Sequence, residues 1–516
     1  MKKLLFLFLI SAILFPVSCR RNRSEFVTVA LSDNFSTLDT LTNKAAASAA
    51  DERVRNLMFN TLVKKDESFE YVGELASDIK TSEDGKVITF VLRDGVKFHN
   101  GKTFTSADVK YTFDELFKSG GYKAGAFFDT VNNVREPHIT SMETPDAKTV
   151  IITVGRPALK NQLLSNLVAV PIIPEGTVSE QASHPVGSGP FKFTSFDQSQ
   201  NIVELTANQD YFEGAPKIEK LRVKTITDAS SLQAELQTGG VDLAPLPTNL
   251  PPDTLRSMND LPDLKVEQFN GSNVQYLIFN VQSPPLNNTK VRQAIGYAID
   301  REKIIHELLY DQARIAHSIL PPESKAYSEG SLYTYDPARS RQLLKEAGYK
   351  GEPIVFKFSS GNSAVSQYSQ VIQSSLSDVG LNVQIETLEI RTIREQLKQG
   401  QFQMFTGIWT GGNQDPIFLK DLFTTGRIPS ETVPCCNRGR YSNKEVDELI
   451  DRAINEIDPK KAGDLYVEAW GIISNELPLL PLWYPANMVV ANKRLGNIKV
   501  GPSGEWSFIK DITVNN

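Results

Sequence analysis

Side chains that titrate or attack near neutral pH are scarce in this chain. Its 516 residues include only five histidines and three cysteines. The histidines, His99, His138, His184, His306 and His317, nowhere pair at metal-ligand spacing. "HELLY" begins at His306 like a zinc-protease helix, but Tyr310 stands where the second histidine belongs. No nucleophile elbow of the G-x-S-x-G type occurs, and "VGSGP" at 186–190 spaces its glycines wrongly for one. No phosphate-binding G-x-x-x-x-G-K-[ST] loop is present, and no dinucleotide fingerprint follows a strand. The common routes to catalysis are therefore missing. No catalytic residue, metal site or cofactor is assigned, and the chain reads as a binder.

Massed charge is absent too. The net charge is −6, with acids and bases interspersed and no basic block to neutralise a phosphate backbone, so nucleic acid is excluded as a partner. Long hydrophobic runs are missing with one exception, and nothing approaches the roughly 20 apolar residues of a spanning helix. The exception is Leu4 to Phe15, 12 residues directly after Lys2 and Lys3, which has the length of a signal-peptide core. Small Ser18 then precedes Cys19, an arrangement that resembles a bacterial lipoprotein cleavage site, with Pro16 where an aliphatic residue is usual. This predicts a signal peptide over 1–18, a lipidated linker over 19–25 and acylation of Cys19. Each buried methylene of such an anchor contributes about 0.8 kcal/mol. An ordinary signal peptide cleaved nearby is the alternative. Either way the mature body lies outside the cytoplasmic membrane, in the periplasm or at the cell surface. The other cysteines, Cys435 and Cys436, are adjacent. Their Cα atoms lie about 3.8 Å apart, below the usual disulfide span of about 4.4–6.8 Å. A strained vicinal disulfide and two thiols both remain open.

What is present is ordinary globular material, 40% hydrophobic and 22% charged, too long for one core and predicting two or more lobes. "FVTVALS" from Phe26, "KVITFVLR", "PIVFKFSS" and "LNVQIETLEI" read as strands. In "RDGVKFHNGKTFTSADVKYTFD" (93–114), Asp94-Gly95 predicts a hairpin turn with "VKFH" as the returning strand. Ser106 is expected to cap a helix with Val109, Phe113, Leu116 and Phe117 on one face, and His99 reads as a structural, hydrogen-bonded residue. "VRQAIGYAIDREKIIHELLY" carries an apolar stripe of Val291, Ala294, Ile295, Ala298 and Ile299. A second stripe, Ile304, Ile305, Leu308 and Leu309, follows the cap Asp300. "YDPARSRQLLKEAGY" has Asp336 at the cap, Pro337 in the first turn and Gly348 at the stop. "SNKEVDELIDRAIN" repeats the stripe with Val446, Leu449, Ile450, Ala453 and Ile454. Strands alternate with helices, so the fold class is α/β with mixed sheets flanked by helices.

The stretch "ITFVLRDGVKFHNGKTFTSADVKYTFD" resembles the signature segment of the bacterial extracellular solute-binding proteins of family 5, the peptide- and nickel-binding components of ABC importers. "HPVGSGPFKF", "LTANQDYFEGAPKIEKLRVK", "LIFNVQSPPLNNTKVRQAIGYAIDRE", "DPARSRQLLKEAGY", "YSNKEVDELIDRA" and "ELPLLPLWYPANMVV" follow in the family's order, so the likeness spans the mature chain. It implies a two-lobed periplasmic-binding-protein fold, type II-like and of cluster C, with an extra domain. The divisions expected from it are 26–48, 185–268 and 484–516 for lobe I, 49–184 for domain II, and 269–483 for lobe II. It also implies a monomeric binder that closes on an oligopeptide or dipeptide and hands it to an ABC permease. Another solute (a nickel chelate, haem or an oligosaccharide) and a tethered sensor are the alternatives.

The resemblance also points to site residues. In "IWTGGNQDPIFL", Trp409 is expected against the guest, with Gly411, Gly412 and Asn413 beside it. Peptide-binding relatives carry an aspartate three residues after this tryptophan, for the peptide's ammonium; here that position is Gly412. Either Asp415 takes the role or the guest lacks a free amino terminus. On the facing lobe "SDNFSTLD" offers Asp33, Asn34 and Phe35. Asn280 in "LIFNV" completes the set, and Asp33 and Asp415 are candidates to face a cationic guest together.

Overall fold

Val27–Leu31 has all five side chains buried, because it runs through the middle of a sheet covered on both faces. The computed structural model describes residues 25–131, 134–411, 414–431, 433 and 436–515. Its largest sheet has seven strands, in the order Phe191–Asp197, Ile202–Ala207, Lys220–Thr225, Val27–Leu31, Leu243–Pro245, Asn487–Asn492 and Leu264–Phe269. Val27–Leu31 pairs in parallel with both neighbours, and the other pairings are antiparallel. The sheet is thus assembled from the start, the middle and the end of the chain.

A four-stranded antiparallel sheet packs beside it, in the order Ala76–Thr81, Val87–Leu92, Thr149–Val154 and Ile139–Asp146. The alternation read in "KVITFVLR" is realised: Ile88, Phe90 and Leu92 are buried while Val87, Thr89 and Val91 are half-buried. "VKFH" does not return as a strand. Val87–Leu92 already has a partner on each edge, and the segment after Gly95 makes only the single bridge between Lys97 and Thr103. The helix that follows, Ser106–Ser119, buries Val109, Phe113 and Leu116 and is capped by Thr105, one residue before the expected Ser106. Asp108 closes the capping box and also receives Lys102 Nζ at 2.6 Å and the Glu175 N–H at 2.9 Å.

His99 ties this unit to the first sheet. Its Nδ1 accepts the Gly187 N–H at 3.3 Å and its Nε2 donates to the Gly189 carbonyl at 3.0 Å. Both glycines pass under the end of the helix Ala49–Met58. A Cβ on Gly189 would lie 2.4 Å from the Met58 carbonyl carbon, so a side chain does not fit there. One hydrophobic cluster runs through both sheets, with Ile88 and Phe90 from one, Val223 and Val489 from the other, and Trp506 from the C-terminal turn Trp506–Asp511.

The remaining unit is a six-stranded mixed sheet in the order Ala313–Ile315, Leu479–Pro485, Val274–Phe279, Met404–Trp409, Ile354–Ser359 and Val383–Leu388. Separate apolar clusters cover its two faces. The stripes read from sequence supply them: Val291, Ala294, Ile295, Ala298 and Ile299 are buried, as are Val446, Leu449, Ile450 and Ala453. Asp300 and Asp336 cap their helices as expected, and Gly348 takes the left-handed stop at φ 70°. Among the described residues no hydrophobic cluster spans this sheet and the seven-stranded one. The chain crosses between them in the short runs 270–273 and 486. Cys436 is disulfide-bonded; Cys19 and Cys435 lie outside the described residues.

The His99 contact predicts a pH effect. Burial lowers its pKa from 6.5 to about 4. The unfolded chain therefore binds a proton that the folded chain refuses, so stability is fully present above pH 6.5 and drains away as pH falls through about 4. The wild type is expected to lose more melting temperature than His99→Gln between pH 7 and 4.5, measured by circular dichroism. Equal losses would reject this account.

Candidate ligand-binding site

The helix Ala49–Met58 is the floor of the site. Ser48 caps it, and Asp51 completes a capping box. Asp51 also receives the N–H groups of Ser36 at 2.7 Å and Thr37 at 3.1 Å, which fastens the 33–37 loop to the helix start. Burial pushes the Asp51 carboxyl up, but the N–H donors of Ser36, Ser48 and Thr37 outweigh it and leave the pKa below the usual range. Glu52, Arg55 and Asn56, at i, i+3 and i+4, then share one helix face. That face lines a cavity of about 490 Å³.

The walls are Lys64, Lys65 and Glu74 at the hairpin of Val63–Lys65 and Tyr71–Gly73, the segments 122–127 and 165–169, and the C-terminal run 503–507. Gln414 comes from the far side, reached through the six-stranded sheet, and its Nε2 donates to Ser272 Oγ at 3.1 Å. The lining is heavily charged, and most of the charge is internally spent. Glu52 takes Arg55 Nε at 2.5 Å and Lys123 Nζ at 2.7 Å. Burial, then repulsion from Arg55, lowers the Lys123 pKa to about 8. Glu74 uses both oxygens on Asn60 Nδ2 (2.8 Å) and the Thr61 N–H (2.6 Å). Lys64 pairs with Glu213 at 3.1 Å.

Two charges are left over. The Lys65 ammonium has no hydrogen bond or ion pair among the described residues; it lies 5.5 Å from the Tyr71 ring centroid. Burial draws its pKa down, against the attraction of Asp415 and Glu505. Glu505 receives one side-chain donor, Asn56 Nδ2, and forms no ion pair among the described residues. Its side chain opens into the cavity, yet protein rings it closely enough that desolvation pushes the carboxyl up, with Arg55 and Arg53 opposing.

The residues expected from sequence are placed as follows. Asp33 pairs with Arg53 at 3.2 Å, the Asn34 carbonyl accepts Ser48 Oγ at 3.2 Å, and Phe35 is buried edge-on to Phe196 at 5.3 Å. None of the three lines the cavity. Asn280 is buried, its Nδ2 donating to the Gly400 and Phe402 carbonyls, both at 3.0 Å, so it fastens a loop to its sheet. Trp409 packs on Phe418 with centroids 4.6 Å apart, and its Nε1 is shielded without a hydrogen-bond partner among the described residues. The Gly411 N–H donates to Asn273 Oδ1 at 3.2 Å, with Gly411 at φ 76°. Asp415 accepts the Tyr71 hydroxyl on one oxygen and the Ile417 N–H at 2.9 Å on the other. Burial, then the Asp415 charge, holds the Tyr71 hydroxyl well above its ordinary pKa, so it stays a donor. Asp33 and Asp415 therefore each have a partner within the protein. Gly412, Asn413 and the lipidation candidate Cys19 lie outside the described residues.

Sequence reasoning missed Lys65, Tyr71, Gln414 and Glu505. Gln414 lies inside the recognised segment "IWTGGNQDPIFL", which was a usable signal, while Tyr71 lies in no recognised segment. Glu505 in "SGEWSF" carries none; only the returning C-terminus brings it to the floor.

The family model for bacterial extracellular solute-binding proteins, family 5 Middle, matches residues 70–430. Haem-binding protein A of Haemophilus influenzae is 28% identical over 480 residues, 87% of this chain and 86% of the relative. The glutathione-binding protein GsiB of Salmonella paratyphi A is 29% identical over 495 residues, 93% of each chain. Among solved structures, the ABC transporter-associated periplasmic binding protein DppA of Helicobacter pylori, in complex with the peptide STSA, superposes with a TM-score of 0.74 at 26% identity. It covers 95% of this chain and 98% of its own. With its mixed sheets, its two crossings and a walled cavity, this chain belongs to the bacterial extracellular solute-binding proteins of family 5.

Proposed function

We propose that this protein is the substrate-binding component of an ABC importer, capturing small peptides by closing its halves on them and presenting the closed form to a membrane permease. The observation that carries this reading is a charged cavity walled from both halves. Gln414 faces the floor helix and the hairpin, while the Tyr71–Asp415 hydrogen bond and the Lys325–Glu70 ion pair at 3.3 Å cross between the halves. The peptide-bound relative from Helicobacter pylori supports a peptide as guest. Among the described residues, no histidine, cysteine or methionine lines the cavity, and no group of three acidic, histidine or cysteine side chains is arranged to hold a metal ion. That favours an organic guest over one coordinated directly through a metal. The proposed organisation has lobe I over 26–48, 185–268 and 484–516, domain II over 49–184 and lobe II over 269–483. The protein acts as a monomer tethered through an acylated Cys19. No helix among the described residues is long and apolar enough to cross a membrane.

Three measurements test this. Native mass spectrometry of the purified mature protein, before and after unfolding, is expected to release a short peptide. A mixed peptide fraction should also raise the melting temperature, since a guest at 100 times its Kd adds about 2.7 kcal/mol. No released peptide and no shift would remove the peptide reading. Tyr71→Phe takes away one hydrogen bond to a carboxylate, a contact of about 1.5–3 kcal/mol. It should expand the ligand-free radius of gyration in X-ray scattering and weaken peptide binding about tenfold. An unchanged scattering curve and affinity would show that the contact does not latch the halves. Cys19→Ala should move the protein from the detergent phase to the aqueous phase on Triton X-114 partition; identical partition would mean an ordinary signal peptide.

A further inference from the structure

We propose that Asn270 is a self-modifying site at a crossing between the halves. Its side-chain amide closes onto the backbone nitrogen of Gly271, sheds ammonia and reopens with water as aspartate or isoaspartate.

Asn-Gly occurs twice in the chain, at 100–101 and 270–271. A glycine has no Cβ to shield its backbone nitrogen, so both pairs have the composition for this chemistry. The fold treats them differently. At the first pair the Gly101 N–H donates to the Phe98 carbonyl at 2.8 Å, and Asn100 Oδ1 accepts the Lys102 N–H at 3.1 Å. The attacking nitrogen and the attacked amide are both engaged in the turn. At the second pair neither is. Asn270 is exposed and its side chain makes no hydrogen bond among the described residues, while its carbonyl accepts Asn487 Nδ2 at 3.1 Å. Gly271 is buried and its carbonyl accepts Arg314 Nη2 at 3.2 Å, but its N–H has no acceptor among the described residues. A buried N–H left without a partner is unfavourable, and ring closure consumes it.

The Gly271 nitrogen bonds to Asn270 Cγ, the Cγ–Nδ2 bond breaks, and the Gly271 proton leaves with Nδ2 as ammonia. Water then adds to one of the imide carbonyls. Opening at the side-chain carbonyl gives aspartate. Opening at the main-chain carbonyl gives isoaspartate, whose chain runs through Cβ and Cγ and so carries an extra methylene.

The place gives this change its consequence. Residues 270–273 form a passage between the two large sheets. A Cβ on Gly271 would already lie 2.0 Å from the Pro485 oxygen of the other passage, so a longer main chain has no space there. Isoaspartate at 270 therefore displaces the Asn487 contact to the 270 carbonyl or the Ser272 N–H bond to Pro502 at 3.0 Å. Hinge motion is carried by a few such residues, and modified molecules lose the fixed relation between their halves.

The test uses the full mature protein, aged without a guest in warm, mildly alkaline buffer made with heavy-oxygen water. Each conversion then incorporates a heavy oxygen, and peptide mapping by mass spectrometry separates aspartate from isoaspartate. In the folded chain Asn270 is expected to convert at least tenfold faster than Asn100, and in guanidinium the two rates should agree within twofold. Conversion of Asn100 as fast as Asn270 in the folded chain would overturn the proposal, and so would no conversion at Asn270. X-ray scattering reads the hinge. The aged wild type is expected to have a larger ligand-free radius of gyration than before ageing. Aged Asn270→Gln, whose longer side chain closes the ring far more slowly, should keep its starting value. Equal expansion in both would overturn the consequence at the hinge. The melting temperature of unaged Asn270→Gln controls for folding. Should that variant not fold, aged wild type resolved by ion exchange into converted and unconverted fractions gives the same comparison. None of these readouts involves a peptide, so their failure leaves the transport reading standing.

Discussion

The Nδ2 of Asn487 shares its protons among three carbonyls, Asn270 at 3.1 Å, Gly501 at 3.0 Å and Pro502 at 3.1 Å. Beside it Gly271 lies so close to the other crossing that a Cβ would sit 2.0 Å from the Pro485 oxygen. The Ser272 N–H donates to Pro502 at 3.0 Å. Both passages of the chain between the two large sheets are thus locked into one point. Among the described residues apolar packing does not join the sheets elsewhere, because each hydrophobic cluster stays on its own side. A molecule built this way can move its halves without opening a core, since the motion is carried by a few residues at the crossings.

That arrangement decides what can hold the closed form. With no shared core, the preference for closure has to come from polar contacts across the cleft and from the guest. Moving a population from mostly open to mostly closed takes about 5 kcal/mol. A charge-assisted hydrogen bond such as Tyr71 to Asp415 supplies part of that, and an exposed pair such as Lys325 and Glu70 adds about 0–1 kcal/mol. The guest provides the remainder, so closure reports occupancy, which is what a permease needs to read.

The architecture was largely legible in the sequence because it is written in local patterns. The stripe from Val291 to Ile299 and the stripe from Val446 to Ala453 are buried where their periodicity put them. Asp300 and Asp336 cap, and His99 is a hydrogen-bonded structural residue. Two local readings gave way to tertiary context. "VKFH" has strand chemistry but no free edge to pair with, and Thr105 displaces Ser106 as the cap because Asp108 reaches back to it. Arg292 and Arg301 look like surface residues of amphipathic helices. Both are buried, with guanidinium groups donating to carbonyls from distant segments, such as Leu477 at 3.0 Å and Pro481 at 2.8 Å. Periodicity cannot announce a long side chain whose partners lie some 180 residues away.

The sequence alone determined the family, the alternation of strands and helices, and the absence of the usual catalytic signatures, since each of these depends on neighbours along the chain. It also named the segment that crosses the cleft, through "IWTGGNQDPIFL". Only the tertiary structure decided which charges are spent and which are free. Asp415 is taken by a tyrosine 344 residues away, while Glu505 and Lys65 arrive from opposite ends of the chain at one cavity. Pairing between charges falls off with distance in space, and distance along the sequence does not reveal it.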